Sequence, residues 1–405
     1  MTGFTYNAPT KVVFGADAEL QVGQLIGQEN ARKVLVHYGG SSARKSGLLD
    51  RIERSLRECG IDFVELGGVV PNPRMSKVYE GISMGKKAGV DFILAVGGGS
   101  VIDSAKAIAY GIPNEFDVWD VYMGRKVPEK CCPVGAVLTI AAAGSEMSNS
   151  SVLTNEDGWL KRSHENEICR CKFAVLNPEL TYTLPDYQTA CGCVDIMMHT
   201  MERYFSTVDP MPLTDDFCAD LIRRVMADAQ ILRRQPENYD ARAEVMWASS
   251  LSHNGLTGCG GDGGDWATHL IEHELGGMFD VAHGAGLAAV WGSWARYVMR
   301  EKPERFVKFA TKVMGCPDTG DAQQTALLGV QAMEAFFCSI GMPVSIRQMG
   351  LSPTAQQIDE MARKCVAVYQ DHVGVLKTLY LDDVKAIYQL ALDGPQACDE
   401  SSDSD

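Results

Sequence analysis

Three of the chain's eight histidines stand in one short stretch, THLIEHELGGMFDVAHGAG, and their spacing suits metal binding. His269 and His273 are four residues apart, so both side chains would lie on one face of a helix. On one straight helix His283 would lie about 21 Å from His269, too far to share an ion. Gly276 and Gly277 predict a helix stop, which lets the chain turn back and bring His269 and His283 together.

A second pair with the same spacing lies upstream. Asp195 and His199 are four residues apart on a predicted helix. A carboxylate with up to three imidazoles is a ligand set that suits Fe(II), Zn(II) or a similar divalent ion. Glu202 continues the same helix face, and we interpret it as an ion-pair partner. The histidines outside these two groups lack such spacing and are predicted to be structural.

The segment HLIEH also fits the H-x-x-E-H pattern of a metallopeptidase. In that alternative His269 and His273 would bind zinc, and Glu272 would act as general base. It leaves the Asp195 and His199 pair unexplained, together with two glycine-containing loops in the first half of the chain.

The first of these loops is a triple-glycine turn. Gly97, Gly98 and Gly99 follow a predicted buried strand and precede a predicted helix. Free N–H groups and the helix dipole attract an anion at such a position, and glycines let a phosphate approach the backbone. The turn matches neither G-x-G-x-x-G nor a Walker A sequence. Asp103 and Lys106, one turn further on, could each be a solvated helix position.

The second loop, HYGGSS, follows the strand at 33–38. In dinucleotide-binding folds an acidic residue after an early strand often holds the ribose hydroxyls of the cofactor. This loop has no acid, and Gly39, Gly40, Ser41 and Ser42 leave room for a phosphate on the ribose. The sequence therefore favours NADP(H) over NAD(H), with Lys45 as a further contact.

The elements that would position these loops alternate in the first part of the chain. Short apolar runs at 33–38, 62–66, 91–96 and 133–139 predict buried strands, and the amphipathic stretches between them predict helices. This alternation predicts an α/β domain with a parallel sheet covered on both faces. We expect one hairpin before it, in FTYNAP…KVVFG, and another over about 150–177.

From residue 187 onward helical patterns dominate, so we predict an all-α domain. The predicted division is 1–186 for the dinucleotide-binding α/β domain, 187–392 for the helical metal-binding domain and 393–405 for an acidic disordered tail.

A net charge of −15 makes nucleic acid an improbable partner. Neither a signal peptide nor a membrane-length apolar run is present, so we expect a cytoplasmic protein that does not bind membranes.

Taken together, these motifs resemble the iron-containing (group III) alcohol dehydrogenase family. The resemblance extends over most of the chain. The HYGGSS loop and the WATHLIEHEL segment are similar to the NADPH-dependent butanol dehydrogenase or aldehyde reductase branch of the family. It implies a dehydroquinate synthase-like fold, with an active site in the cleft between the two domains, and a homodimer. The motifs that carry it are GGGSVIDSAK, TIAAAGSEMS, FAVLNPELTYTLP, GCVDIMMHTMERY and HELGGMFDVAHGAG.

The resemblance also implies roles for individual residues. The metal ligands would be Asp195, His199, His269 and His283. His273 matches a non-ligand histidine near the nicotinamide and the substrate. The cofactor pyrophosphate would rest on Gly97, Gly98, Gly99 and Ser100, and Asp103 would approach the nicotinamide end. Further cofactor contacts would be Asn72, Thr139 and Lys161. Ala143 stands where the family usually has a threonine that meets the cofactor, so cofactor binding is expected to be weaker.

The expected function is therefore interconversion of primary alcohols and aldehydes, with NADP(H) and one divalent metal ion, Fe2+ or Zn2+. Hydride would pass between the nicotinamide and a carbonyl polarised by the metal, and His273 would relay the proton. The alternatives are an NAD-linked polyol or glycerol-type dehydrogenase or a dehydroquinate-synthase-like lyase of the same fold, the metallopeptidase, and a non-catalytic nucleotide sensor.

Overall fold

The computed structural model describes residues 1–369 and 371–394. In chain order its β-strands are β1 (Lys11–Phe14), β2 (Lys33–Tyr38), β3 (Asp62–Leu66), β4 (Phe92–Gly97), β5 (Val134–Leu138), β6 (Ser150–Asn155), β7 (Leu160–Glu165) and β8 (Phe173–Leu176). Its α-helices are α1 (Val22–Gln28), α2 (Ser42–Lys45), α3 (Leu48–Glu58), α4 (Met75–Ala88), α5 (Gly99–Gly111), α6 (Trp119–Tyr122), α7 (Asp186–Tyr204), α8 (Pro212–Arg234), α9 (Tyr239–His253), α10 (Ala267–Phe279), α11 (His283–Val298), α12 (Pro303–Lys308), α13 (Ala322–Ser339), α14 (Ala355–Val366) and α15 (Leu381–Asp393).

The larger sheet has six parallel strands in the order β1-β8-β5-β4-β2-β3. Apolar cores cover both of its faces, which explains the continuous apolar runs of the central strands. On β2, Val34 and Val36 belong to the core that includes residues of α1 and α3. Leu35, which points the other way, belongs to the core that includes residues of α4 and α5. The predicted parallel α/β sheet is therefore confirmed.

Both predicted hairpins need correction. The first is wrong: Lys11–Phe14 pairs in parallel with β8, and residues 1–10 contain no strand. The second is shorter than predicted, because only β6 and β7 form the antiparallel pair. Phe173–Leu176 instead joins the main sheet between β1 and β5. Its four residues are all buried, as expected of a strand covered on both faces rather than of a half-exposed hairpin.

The second half of the chain is helical, as predicted. The turn between the histidine-bearing helices lies later than expected, since α10 continues through Gly276 and Gly277 to Phe279. Glycine inside a helix weakens it by roughly 1 kcal/mol without ending it. The left-handed residue that ends the helix is Asp280, at φ 53°, and α11 begins at His283.

The chain forms two compact units. The α/β unit comprises Tyr6–Pro185 and Gln235–Leu256, and the helical unit comprises Met1–Thr5, Asp186–Arg234 and the described residues of 257–394. The segment with α9 thus belongs to the α/β unit, whereas the sequence-based division placed it with 187–392. That division stays a prediction, and residues 395–405 of its tail lie outside the described residues.

Over 1–369 and 371–394, the structure holds no helix with the length and apolar character needed to cross a bilayer.

Candidate metal centre and nucleotide-binding turn

Three helices of the helical unit carry the predicted metal ligands. Asp195 and His199 lie on α7, His269 lies on α10, and His283 is the first residue of α11. Helix α11 packs against both α7 and α10, so residues far apart in the sequence meet at one place. Asp195, His199 and His269 are buried, and the side chain of His283 is 26% exposed.

One carboxylate oxygen lies at the centre of this group. Oδ1 of Asp195 is 3.3 Å from Nδ1 of His199, 3.8 Å from Nε2 of His269 and 3.6 Å from Nε2 of His283. Tetrahedral ligands with metal bonds of about 2.0–2.2 Å stand roughly 3.3–3.6 Å apart. Oδ1 of Asp195 therefore lies at nearly the ligand–ligand spacing from a nitrogen of each imidazole.

Two of these donor atoms are buried without a hydrogen bond. Oδ1 of Asp195 and Nε2 of His269 have no hydrogen-bond partner among the described residues. A buried polar atom left unsatisfied costs roughly 1–3 kcal/mol, so native proteins rarely retain one without a ligand to meet it. These atoms fit an ion held by nitrogen and oxygen donors. The assignment of individual ligands stays a prediction.

Negative charge around His269 also fits a cation. Burial disfavours the charged imidazole, but the carboxylates of Asp195 and Glu202 outweigh burial and raise the pKa of His269 to about 9. A site that holds a proton so firmly is electrostatically suited to a positive ion.

Two carboxylates contact these histidines without a predicted role at the metal centre outside the metallopeptidase alternative, in which Glu272 would be the general base. Oε1 of Glu202 accepts hydrogen bonds from the backbone N–H and Nδ1 of His269, at 2.9 and 2.8 Å. Glu272 bonds to Nδ1 of His283. The i,i+7 spacing of Asp195 and Glu202, which places them on one helix face, was the sequence signal for the contact of Glu202 with His269. The sequence predicted an ion pair for Glu202 but not its partner. Nothing in the sequence indicated the contact of Glu272 with His283, which joins two helices.

His273 lies beside the centre on α10. Its ring centroid is 6.3 Å from that of His269 and 5.7 Å from that of His283. Its donor atoms group with Glu272 and His283, whereas those of His269 group with Asp195 and His199. The metallopeptidase alternative needs His269 and His273 on one ion, but the ring of His273 is farther from that of His269, at 6.3 Å, than the ring of His283 is, at 5.3 Å, which disfavours it. The hydrogen bond of Glu272 to His283 disfavours it further.

The triple-glycine turn lies in the α/β unit, between β4 and α5. Gly97 and Gly98 are buried, and Gly99 is the first residue of α5. A Cβ added at Gly98 would come within 3.0 Å of Ile140, and one at Gly99 within 3.1 Å of Ala143. Ala143 therefore stands directly beside the turn. Gly98 and Gly99 thus leave little room for a side chain where the helix begins, which suits a phosphate bound by the backbone.

The loop after β2 lies next to this turn. A Cβ on Gly39 would lie 3.7 Å from Cγ2 of Val101, the residue that also crowds Gly97. Gly40, Ser41 and Ser42 are exposed. Adjacent strands β2 and β4 thus bring the two predicted cofactor loops to the same edge of the sheet.

The remaining predicted cofactor residues lie after β5, after β3 and in β7 of the α/β unit. The backbone N–H of Thr139 donates to the carbonyl of Gly97 at 3.1 Å, so Thr139 stands beside the turn. Asn72 is buried with φ 52° after β3, and Lys161 is buried in β7 opposite Thr154.

Asp103 and Lys106 are not solvated helix positions, and that alternative is wrong. Both side chains are buried. Oδ2 of Asp103 accepts the backbone N–H of Val152 at 3.0 Å. Nζ of Lys106 donates to the carbonyls of Ser145, Ser148 and Ser150 at 2.8, 2.9 and 2.7 Å. Lys106 therefore binds three carbonyls of the segment 145–150, which leads into β6.

Family models match nearly the whole chain. Residues 9–178 match the iron-containing alcohol dehydrogenase model, and residues 189–392 match the C-terminal model of the Fe-containing alcohol dehydrogenase family. The chain belongs to the iron-containing alcohol dehydrogenase family. The resemblance drawn from its motifs and the fold class that it implied are confirmed.

Several relatives in this family are similar over almost their full length. A probable NADH-dependent butanol dehydrogenase 1 of Bacillus subtilis is 37% identical, with 97% of this chain and 100% of the relative aligned. The NADPH-dependent aldehyde reductase YqhD of Escherichia coli is 32% identical, over 96% of this chain and 100% of the relative. The crystal structure of NADH-dependent butanol dehydrogenase A from Thermotoga maritima superposes with a TM-score of 0.93 at 37% identity, covering 97% of this chain and 99% of the other.

Proposed function

We propose that this iron-containing alcohol dehydrogenase is a metal-dependent oxidoreductase that interconverts primary alcohols and aldehydes with a nicotinamide cofactor. The observation that carries the proposal is the convergence of three imidazoles on Oδ1 of Asp195, at 3.3, 3.8 and 3.6 Å. Relatives named as butanol dehydrogenases and as an aldehyde reductase support the same substrate class.

Each group of residues has a role in this proposal. A divalent ion, Fe2+ or Zn2+, would act as a Lewis acid toward the substrate oxygen, and the nicotinamide would supply or accept the hydride. The ion would be held by Asp195, His199, His269 and His283. His273, whose ring lies beside those of His269 and His283, would give a proton to the substrate oxygen during reduction and take it back during oxidation.

The cofactor would bind along one edge of the α/β unit's sheet. Backbone N–H groups at Gly98, Gly99 and Ser100 would hold the pyrophosphate at the start of α5. Thr139, Asn72 and Lys161 would make further contacts. Asp103, whose Oδ2 accepts the N–H of Val152, would hold the hairpin segment near the nicotinamide end.

We further propose NADP(H) as the preferred cofactor. The support is the exposed loop Gly40–Ser42, which has no acid to hold bare ribose hydroxyls and has room for a phosphate. Relatives named as NADH-dependent lead to the opposite expectation, and YqhD, named as NADPH-dependent, leads to the same one. The proposal is therefore tested by measuring both cofactors side by side.

The family resemblance also leads us to propose a homodimer in the cytoplasm. Light scattering on the protein as it elutes from a column would test the homodimer, and the expected result is twice the mass of one chain. Fractionation of the producing cells would test the cytoplasmic location.

The central experiment is an assay of NADPH and NADH oxidation across a panel of straight-chain aldehydes, paired with metal analysis of the purified protein. We expect turnover that depends on one bound divalent ion per chain and a higher kcat/KM with NADPH. Turnover that survives complete removal of metal would contradict the metal-dependent mechanism. Binding of NADPH without turnover after metal reconstitution would indicate the nucleotide sensor instead.

A further inference from the structure

We propose that Glu202 and Glu272 are positioning residues that fix the tautomer and orientation of the two imidazoles that present Nε2 to the metal centre. This inference rests on the function proposed above, and it concerns residues outside the ligand set. It follows from the hydrogen bonds that the two carboxylates make.

Glu202 holds His269 at two points. Its Oε1 atom accepts from the backbone N–H of His269 at 2.9 Å and from Nδ1 of the same residue at 2.8 Å. Because a carboxylate only accepts, Nδ1 must carry the proton, and the lone pair of a neutral ring is then on Nε2. Glu202 is 2% exposed, so water does not compete for this bond. One oxygen thereby fixes both the ring's tautomer and its direction.

Glu272 does the same for His283 across two helices. It lies on α10, is fully buried and bonds to Nδ1 of His283 at the start of α11. The side chain of His283 is 26% exposed, and the buried carboxylate of Glu272 anchors its Nδ1. Glu272 therefore helps to fix the direction in which this partly exposed imidazole points.

The chain makes room for Glu272 at a glycine. A Cβ added to Gly286 would lie 2.8 Å from Cγ and 2.9 Å from Oε1 of Glu272. A larger residue there would force the side chain of Glu272 to shift, because contacts this short are essentially never seen for a real Cβ. Gly286 thus offers a way to move Glu272 without changing its charge.

Both contacts orient an imidazole so that its Nε2 faces the same carboxylate oxygen. Nε2 of His269 and Nε2 of His283 both face Oδ1 of Asp195, at 3.8 and 3.6 Å. Carboxylate partners on the far nitrogen of a ligating histidine also make the ring more basic toward the metal. If the two glutamates were only ion-pair partners that stabilise the fold, their loss would change stability and leave metal affinity alone.

The test is a zinc-binding titration of the full chain, stripped of metal and competed with a chromophoric chelator. The variants are Glu202→Gln, Glu202→Ala, Glu272→Gln and Gly286→Ala. We expect Zn2+ affinity to fall by about 10- to 100-fold. Glu202→Ala should bind Zn2+ more weakly than Glu202→Gln, because the amide oxygen of glutamine can still accept a hydrogen bond from Nδ1 of His269. Circular dichroism and thermal unfolding of the metal-free proteins report whether each variant folds.

Two matched controls separate positioning from stability. Glu334→Gln removes a buried carboxylate that pairs with Arg296 in the same helical unit and should leave zinc affinity within about twofold. Gly27→Ala adds a methyl group where a Cβ would have nothing within 4 Å. It should leave zinc affinity unchanged.

The outcomes distinguish this inference from the proposed function. If the unaltered chain binds no Zn2+, or Asp195→Ala binds it equally well, the metal centre itself is wrong. If the unaltered chain binds tightly and the folded Glu202 and Glu272 variants bind as tightly, positioning is overturned and the metal centre stands. Equal weakening by Glu334→Gln would also overturn positioning, because it would reveal a general effect of lost stability.

Discussion

Oδ1 of Asp195 lies 3.6 Å from Nε2 of His283, although one residue is in the middle of α7 and the other opens α11. The contact depends on the packing of these two helices. It makes Asp195 the residue on which the three imidazoles converge.

Replacing Asp195 by alanine should therefore abolish metal binding and turnover together. The remaining imidazoles would lose the charged donor that all of them face. Metal content of the purified variant, measured by mass spectrometry, is the direct readout. Asp228→Ala, which removes a buried acid of α8 paired with Arg224, is the control and should keep the ion. Full occupancy in Asp195→Ala would remove this residue from the ligand set.

His273→Ala should retain the metal and lose turnover. Its ring lies beside those of His269 and His283, but the proposed role is proton transfer, which contributes about a hundredfold or more to a rate. Steady-state kcat and metal content should be measured on the same preparation. Loss of the ion in this variant would show that His273 is a ligand.

Gly99→Ala should weaken cofactor binding. The added methyl group would lie 3.1 Å from Cβ of Ala143 and 3.2 Å from Oγ of Ser145, so the start of α5 and these neighbours must separate by a few tenths of an ångström. Losing about one backbone hydrogen bond to phosphate should raise the cofactor KM roughly tenfold. An unchanged KM, with Gly27→Ala as the open-helix comparison, would argue against a pyrophosphate at this turn.

Gly39→Asp should shift the cofactor preference toward NAD(H). A Cβ at this position makes only ordinary contacts, the closest at 3.5 Å from the carbonyl of Val69, so the variant should fold. The new carboxylate would accept from ribose hydroxyls and repel a ribose phosphate, which we expect to change the ratio of kcat/KM values at least about tenfold. Gly39→Ala controls for bulk. A ratio that does not move would contradict the interpretation of this loop.

His37 should make the protein sensitive to acid. Its ring is fully buried between the carbonyl of Leu66 and the hydroxyl of Ser104, and burial lowers its pKa to about 4. The unfolded chain, with a pKa near 6.5, takes up the proton first, so stability is lost as pH falls from about 6.5 toward 4. The loss is about 2 kcal/mol near pH 5.

His37→Asn should flatten this dependence. The amide can still donate toward Leu66 but does not titrate. Thermal unfolding at about pH 7 and about pH 5 measures the effect, and the drop in Tm should be smaller in the variant. His372→Asn, at an exposed position, should behave like the unaltered chain. An equal drop in all three proteins would show that His37 does not carry the acid sensitivity.

Local patterns were enough to predict much of this molecule. The strands β2 to β5 follow from short apolar runs, and the position of Gly97–Gly99 between a strand and a helix follows from their order in the chain. The i,i+4 pairs at Asp195 and His269 were visible because helix geometry places such residues on one face. These features depend on neighbours within one or two turns of the chain.

Long-range pairing was predicted less well. Phe173–Leu176 has the same local character as a hairpin strand, and only its fit between β1 and β5 places it in the main sheet. The burial of Lys106 was also missed, because a lysine on an amphipathic helix is usually solvated. Its place depends on carbonyls from a segment about 40 residues away along the chain.

The sequence by itself determined the family and predicted the two kinds of site and the residue types that would serve them, since motif order and helical spacing are local properties. The tertiary structure decided which carboxylates hold His269 and His283, because Glu202 and Glu272 reach these rings only through helix packing. It also decided where α10 ends, since the left-handed conformation of Asp280 rather than two adjacent glycines stops the helix. Contacts between distant segments carry no periodic signal, so they become visible only when the chain is folded.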